Sequence, residues 1–360
     1  MAVCRSQNVH YIKAAKKLIS EGIMTDAHND WPEKIRDLFD GGIYNVDLRH
    51  LDSRFNTDLD RLRKGGIKAQ IWSAFVKCGE GVQEALEQVD LVKRMINEYD
   101  DTLELALSPK DIRDIAARGK IASLIGLEGA HSVGVSLPAL RMFYELGARY
   151  LTLTHSCSNK WADSSMDQRN GGLTLRGREA VLEMNRLGMI IDISHVSFQT
   201  MSDVLEISKV PVIFSHSSAF ALCPNKRNVP DDILQKVKEK DGIVMINFYP
   251  EYITCSSNAT LVDVANHIEY ISQKIGRDKV GFGSDFDGIS SLPIGLEDVS
   301  TYPHLVAELL ARAWSRSDIL GLLGENFLRI FTKISVLQLP IKPLESRYSD
   351  PRVCVFDFSS

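Results

Sequence analysis

Eight short apolar runs recur along the chain with helical segments between them, and that alternation limits the fold more than any other feature. The runs read IMTDAHND (23–30), IKAQIWSAFV (67–76), IASLIGLEG (121–129), RYLTLTH (149–155), MIIDISH (189–195), VPVIFSH (210–216), GIVMINFY (242–249) and VGFGSDFD (280–287). Most are rich in Ile, Val and Thr, as strands are. Several lack clean alternation, as expected of strands covered on both faces. Between them, VQEALEQVDLVKRMINEY places Val82, Leu86, Val89, Val92 and Ile96 on one helical face. LRGREAVLEMNRLG stops at Gly188, PDDILQKVKEKDG opens on Pro230, Asp231 and Asp232 and also ends at a glycine, and LVDVANHIEYISQKIG is amphipathic. Strands alternating with helices form parallel βαβ units. Eight such units predict an α/β fold of the closed (β/α)8 type, with an open doubly wound sheet as the competing arrangement. A chain of 360 residues fits one such barrel. It is expected to fill 1–335, with an irregular tail over 336–360.

Bulk properties narrow the function class. The formal net charge of −5 gives no sign of a nucleic-acid surface. No run reaches the roughly 18 apolar residues of a membrane span. The opening MAVCRSQNVHYIKAAKKLIS has no apolar core of the signal-peptide kind, and the last twenty residues lack the hydrophobic tail of a lipid-anchor signal. These features predict a cytoplasmic protein, although a mature secreted chain would look the same. The six cysteines, Cys4, Cys78, Cys157, Cys223, Cys255 and Cys354, form no CxxC pair, so a thiolate zinc site is not expected.

The informative feature is what ends each run. Run one ends His28-Asn29-Asp30 and run three ends Glu128-Gly129. Runs four, five and six end at His155, His195 and His216, and run eight ends at Asp285 and Asp287. In a parallel barrel these ends share one face, where such enzymes keep their active sites. The other histidines, His10, His50, His131, His267 and His304, fall elsewhere and read mostly as surface or core residues. His28 and Asp30 are two apart, so on a strand they point to the same side. His195 and His216 are one βα unit apart and should stand on neighbouring strands, roughly 4.8 Å apart. Glu128 comes from between these groups and can bridge. The set His28, Asp30, Glu128, His195 and His216 offers imidazole and carboxylate without thiolate, which suits zinc, with manganese or another divalent ion as alternatives. Five ligands are too many for one catalytic zinc with an open position and suit two ions joined by one carboxylate. Such a pair activates water and polarises a carbonyl, which is chemistry for hydrolysing an amide or ester. A proton carrier is still needed, and Asp285 or Asp287 would supply it. Asp287 precedes Gly288 and could instead make a turn. Spacing alone leaves the choice open.

The motifs HND, SLIGLEGAHS, RYLTLTHSCSNKWAD, NRLGMIIDISHVS, PVIFSHSSA, KRNVPDD, MINFY and VGFGSDFDG…GLEDVS together resemble those of the renal, or membrane, dipeptidase family, zinc hydrolases of the amidohydrolase superfamily. The similarity runs from about residue 20 to about 332. It implies a barrel with a binuclear zinc site that hydrolyses dipeptides. By motif, one Zn2+ would take His28 and Asp30, the other His195 and His216, with Glu128 between them. Asp285 would transfer the proton, and His155 would contact the substrate near the scissile carbonyl. Arg227 would bind the substrate carboxylate, a task that suits a guanidinium fork. Tyr252 would contact the substrate.

Some positions depart from the pattern. Ala27 stands where relatives often have Gly or Thr. Ser284 stands where Gly is common, which would narrow the approach to Asp285. By the same resemblance, Cys78–Cys157 and Cys223–Cys255 match positions that form disulfides in extracellular relatives, and this keeps an extracellular location open. Expected partners are a dipeptide or dipeptide-conjugate substrate, cysteinylglycine and its S-conjugates included, and a second copy of the chain in a homodimer. Neither nucleic acid nor a membrane anchor is expected. Rival readings are a same-fold hydrolase of N-acyl amino acids and a non-catalytic binding barrel.

Overall fold

The computed structural model describes residues 2–336. Its strands are β1 (Met24–Asn29), β2 (Ile67–Phe75), β3 (Leu103–Leu105), β4 (Ile121–Glu128), β5 (Ala148–Thr152), β6 (Ile190–Asp192), β7 (Ile213–Phe214), β8 (Ile243–Ile246) and β9 (Val280–Phe282). All pairings between them are parallel. The order β1-β2-β4-β5-β6-β7-β8-β9 closes on itself, because β9 pairs back to β1 and β2 pairs directly with β4. This is the expected (β/α)8 barrel. The extra strand β3 lies outside the ring. It pairs with Ile121 to Ser123 of β4, below the point where β5 joins at Ile125.

Helix α1 (Ala2–Glu21) precedes β1. Helices α2 (Trp31–Phe39) and α3 (Leu59–Gly65) follow β1, α4 (Val82–Glu98) follows β2, α5 (Pro109–Ala117) follows β3 and α6 (Leu137–Glu145) follows β4. Next come α7 (Leu175–Leu187) after β5, α8 (Phe198–Ile207) after β6 and α9 (Asp231–Glu239) after β7. Helices α10 (Pro250–Ile253) and α11 (Leu261–Ile275) follow β8, and α12 (Tyr302–Ala311), α13 (Arg316–Leu320) and α14 (Asn326–Val336) follow β9. Side chains of Ser108, Ser136, Thr174 and Ser197 accept from the third backbone N–H of their helices, which fixes where each begins. Gly188 closes α7 in the left-handed conformation, as the sequence implies. Helix α9 ends at Glu239, three residues before Gly242, the glycine expected to stop it, and Asp241 takes the left-handed position instead. On α4 the buried face is Ala85, Val89, Val92, Met95 and Ile96. Val82 and Leu86, expected on it, are exposed.

One apolar cluster joins Ala27, Ala69, Leu124, Tyr150, Ile190, Ile213 and Met245 of the strands to Phe327, Ile330 and Phe331 of α14. The larger cluster binds the outer strand faces to the helices. Two disulfides are closed, Cys78–Cys157 and Cys223–Cys255. Disulfides persist in oxidising compartments, so the expectation of a cytoplasmic chain finds no support in the structure. Among the described residues no helix is long and apolar enough to cross a membrane. The tail expected at 336–360 lies, apart from Val336, outside the described residues.

Candidate active site at the barrel mouth

Every residue singled out at a run end comes to the C-terminal mouth of the barrel. Most stand just past the strand rather than on it. Asp30 is the N-cap of α2, not a strand residue, so it does not share a face with His28 by strand alternation. The turn brings the two together all the same, with His28 Nε2 3.3 Å from Asp30 Oδ2. His195, Asp285 and Asp287 adopt positive φ angles of 66°, 68° and 68°. Such backbone is costly for non-glycine residues and clusters at functional sites. Gly288 explains the glycine after the second aspartate. A Cβ there would lie 2.2 Å from Asp30 Oδ2 and 2.9 Å from Asp285 Oδ1.

Glu128 is the centre of the arrangement. Its Oε2 lies 3.4 Å from His28 Nε2 and accepts from Ser73 Oγ at 3.1 Å. Its Oε1 lies 3.0 Å from His195 Nε2 and 3.4 Å from His216 Nε2. The carboxylate thus turns one oxygen to each half of the cluster. Asp285 Oδ1 stands 3.9 Å from His28 Nε2, on the Asp30 side. Its other oxygen accepts from Asn247 Nδ2 at 2.8 Å. Asp287 faces away from the cluster. Its Oδ1 accepts from the backbone N–H of Asn56 at 2.8 Å, and its own N–H donates to Asn56 Oδ1. Ser284 also departs from expectation. It is buried and its hydroxyl donates to Asp26 Oδ2 at 2.6 Å, so it turns inward rather than narrowing the approach to Asp285.

Two further contacts fix imidazole orientation. His28 Nδ1 meets the Tyr150 hydroxyl at 2.8 Å, and His216 Nδ1 meets Ser215 Oγ at 2.7 Å. The Ser215 hydroxyl donates to Asp192 Oδ2 at 2.6 Å, so it accepts from His216 Nδ1–H. The His216 ring then presents an unprotonated Nε2 to the cluster. Burial first, and then neighbouring positive groups, push His195 and His216 well below the ordinary imidazole range. Burial alone would raise Glu128, yet His28 and His195 hold it well below the usual carboxylate range. Burial, with Asp30 and Glu128 adding to it, pushes Asp285 well above that range.

The side chains fit a metal centre. His28 Nε2 and Asp30 Oδ1 are buried without a hydrogen-bond partner. His195 Nε2 and His216 Nε2 face each other at 2.7 Å beside one carboxylate oxygen. Imidazoles and carboxylates crowded together out of water in this way are costly to bury without a cation between them. Nitrogen and oxygen donors without thiolate suit zinc.

The cluster floors a cavity of about 360 Å³ whose wall includes Asp30, Glu33, Phe75, Lys77, Glu128, His155, His195, Arg227, Tyr249, Tyr252 and Asp285. His28 and His216 sit behind that wall and are buried. His155 packs edge-on to Phe75, with ring centroids 4.6 Å apart, and Arg227 lies 5.3 Å from the Tyr252 ring centre. Tyr150, Asp192, Ser215 and Asn247 were not anticipated as part of the site. Of these, Ser215 and Asn247 stand just past β7 and β8, near the run ends that flagged the others.

The profile of the family described as Membrane dipeptidase (Peptidase family M19) matches residues 12–342. This chain belongs to the membrane dipeptidase family. Dipeptidase aclJ of Aspergillus oryzae is 47% identical over 324 residues, covering 85% of this chain and 77% of that protein. Dipeptidase 3 of Homo sapiens is 43% identical over 354 residues, covering 96% and 70%. A metallo peptidase from Rhodobacter sphaeroides, solved with a phosphinate mimic of the dipeptide L-Ala-D-Ala, is 25% identical with a TM-score of 0.79, covering 86% of this chain and 99% of that one. The probable dipeptidase PvdM from Pseudomonas aeruginosa, 23% identical with a TM-score of 0.83 over 91% of this chain and 99% of that one, shares the fold. As a member of this family the chain is a metallo-dipeptidase, a hydrolase that works with a metal cofactor.

Proposed function

We propose that this metallo-dipeptidase holds two zinc ions and hydrolyses dipeptides that carry a free C-terminal carboxylate. The observation that carries the reading is the division of Glu128, with Oε2 toward His28 and Asp30 and Oε1 toward His195 and His216. His28 and Asp30 would hold one ion and His195 and His216 the other, with Glu128 shared. When bound, such a pair supplies Lewis acidity and lowers the pKa of water from 15.7 to roughly 7. The protein's own groups do the rest. Asp285, steadied by Asn247, takes a proton from the attacking water and delivers it to the departing amine. His155 sits at the wall where it can donate to the scissile carbonyl oxygen. Arg227 is 2% exposed and, among the described residues, has no carboxylate within ion-pair distance. It is a cation waiting for an anion, and the substrate's terminal carboxylate supplies one. Tyr252 packs beside it.

Within dipeptides, cysteinylglycine and its S-conjugates are the substrates put forward. Phe75, Tyr249 and Ile289 give the cavity an aromatic and apolar wall, which suits a polarisable sulfur. The two disulfides favour an oxidising compartment.

Turnover of Cys-Gly, an S-substituted Cys-Gly, a dipeptide with a D residue, an N-acyl amino acid and a C-terminally amidated dipeptide tests the reading. Free dipeptides should lead, the cysteinyl ones above the rest. Arg227→Ala should cost about 2–3 kcal/mol of kcat/KM on the free dipeptide, because it removes charge-assisted hydrogen bonds. It should hardly change the already poor amide. An N-acyl amino acid as best substrate would replace the dipeptide reading, and equal losses on acid and amide would remove Arg227 from carboxylate recognition.

A further inference from the structure

Arg227 and Tyr252 come from different parts of the chain, and neither sits on a regular strand. Arg227 lies in the loop 219–229 between β7 and α9, and Tyr252 lies in the four-residue helix α10. A guanidinium meant to meet a substrate carboxylate must be held to within about half an ångström by its supports. Its own contacts are thin. Nη1 reaches Ser217 Oγ at 3.5 Å, Nη2 reaches the His216 carbonyl at 3.3 Å, and Nε is buried without a partner.

The two segments are tied to each other instead. The Cys223–Cys255 disulfide joins them. Asn228 Nδ2 donates to the carbonyls of Cys223 at 2.9 Å and Tyr252 at 2.7 Å. The third tie comes from α11. His267 Nδ1 accepts from the backbone N–H of Ala219 at 3.0 Å, and its Nε2 donates to the carbonyl of Ile253 at 2.8 Å. The Ala219 N–H can only donate, so His267 carries its proton on Nε2 and uses both nitrogens. Ala219 opens the Arg227 loop and also bridges to Val229 at its close, while Ile253 follows Tyr252 directly. One ring, 1% exposed, therefore sets the spacing of both segments.

We propose that His267, which does not line the substrate cavity, is a positioning residue for recognition of the substrate's terminal carboxylate. It acts by holding the Arg227 loop and the Tyr252 helix at a fixed separation. The inference rests on the reading of Arg227 as the carboxylate-binding group.

The test compares kcat and KM on a free dipeptide and its C-terminal amide for the wild type, His267→Leu, His267→Gln and Arg227→Ala, all metal-loaded. Loss of both hydrogen bonds in His267→Leu should raise KM for the free dipeptide by about 10-fold while kcat changes by less than about 3-fold. The amide should respond within about 2-fold. Gln offers a carbonyl oxygen and an NH2 group across one carbon, as the imidazole offers its two nitrogens, and should restore most of the loss. If His267→Leu yields no folded protein, His267→Phe, which also lacks hydrogen-bonding atoms, takes its place with the same expected pattern. A loss shared by acid and amide, or confined to kcat, overturns the role of His267 provided that Arg227→Ala remains selective for the acid. Arg227→Ala striking both substrates equally would instead overturn the reading beneath it.

Discussion

His28 and His216 each have one nitrogen to offer a cation, because the other is already engaged. Tyr150 is the more unusual partner, since it stands on β5 in the apolar cluster of the barrel and reaches His28 on β1. Outer partners of this kind fix ring orientation, and their loss commonly costs about 10–100-fold in metal affinity. Tyr150→Phe keeps the ring and removes only the hydroxyl, so it should weaken metal binding by about 10–100-fold with little change in fold. Competition with a chromogenic chelator measures this directly, and unchanged affinity would mean that packing alone orients His28. At this scale the sequence was readable where residue type and position coincide. His28, Asp30, Glu128, His155, His195, His216 and Asp285 are chemically distinctive and all follow apolar runs. Tyr150 was not readable, because a tyrosine inside a strand is ordinary until the residue across the barrel is known. Asp192 lies within the run MIIDISH, yet its role depends on Thr152 and Ser215 from the neighbouring strands.

The strands are shorter than the runs that announced them. Ladder pairing at β6, β7 and β9 lasts two or three residues, although each run spans seven or eight. At the mouth the chain has left β geometry, with His195 and Asp285, three residues past the ends of β6 and β9, at positive φ. An apolar run reports burial, and burial continues past the last ladder bond. Strand β3 was missed for the opposite reason, because three residues, Leu103-Glu104-Leu105, carry too little pattern to separate from a loop. Its pairing follows from where β5 begins, which is a property of the sheet. Packing between strands also explains Gly126 of β4. A Cβ there would stand 2.1 Å from Cζ of Tyr150 on the neighbouring strand. Gly126→Ala should therefore destabilise the barrel by about 1–3 kcal/mol or more, through overpacking of a filled interior. It should also weaken metal binding, because the displaced ring is the one that orients His28. Chemical denaturation with a parallel metal titration reads both effects. A stable variant with normal affinity would show that the Tyr150 ring has room to move.

For the whole molecule, the closed parallel barrel was legible from eight alternating units, while the state of the cysteines was legible only through the family resemblance. Spacing cannot pair Cys78 with Cys157 across 79 residues, since that contact is made by the fold. The same holds for His267, which sequence position left among surface and core histidines. It is a buried base used at both nitrogens, and this gives the molecule a specific acid sensitivity. Burial pushes the His267 imidazole down to about 4. The unfolded chain has an ordinary imidazole near 6.5 there, so between pH 6.5 and 4 the unfolded state binds the extra proton. Stability then rises with pH across that window and falls as the solution is acidified. The full contribution is present above about pH 6.5 and amounts to about 3 kcal/mol when the group is still neutral in the fold. Protonation would also set an N–H against the Ala219 N–H, breaking the tie between the two loops. Many carboxylates and the metal-binding imidazoles titrate over the same range, so the total pH profile does not isolate this group. The difference between wild type and His267→Gln does, because the glutamine has no proton to gain and the other groups are shared. Urea unfolding of both proteins at pH 7, 6, 5 and 4 should show the wild type losing about 3 kcal/mol more than the variant on acidification, with the divergence beginning near pH 6.5. Parallel curves would mean that His267 titrates normally in the folded protein and that its two hydrogen bonds do not hold it neutral.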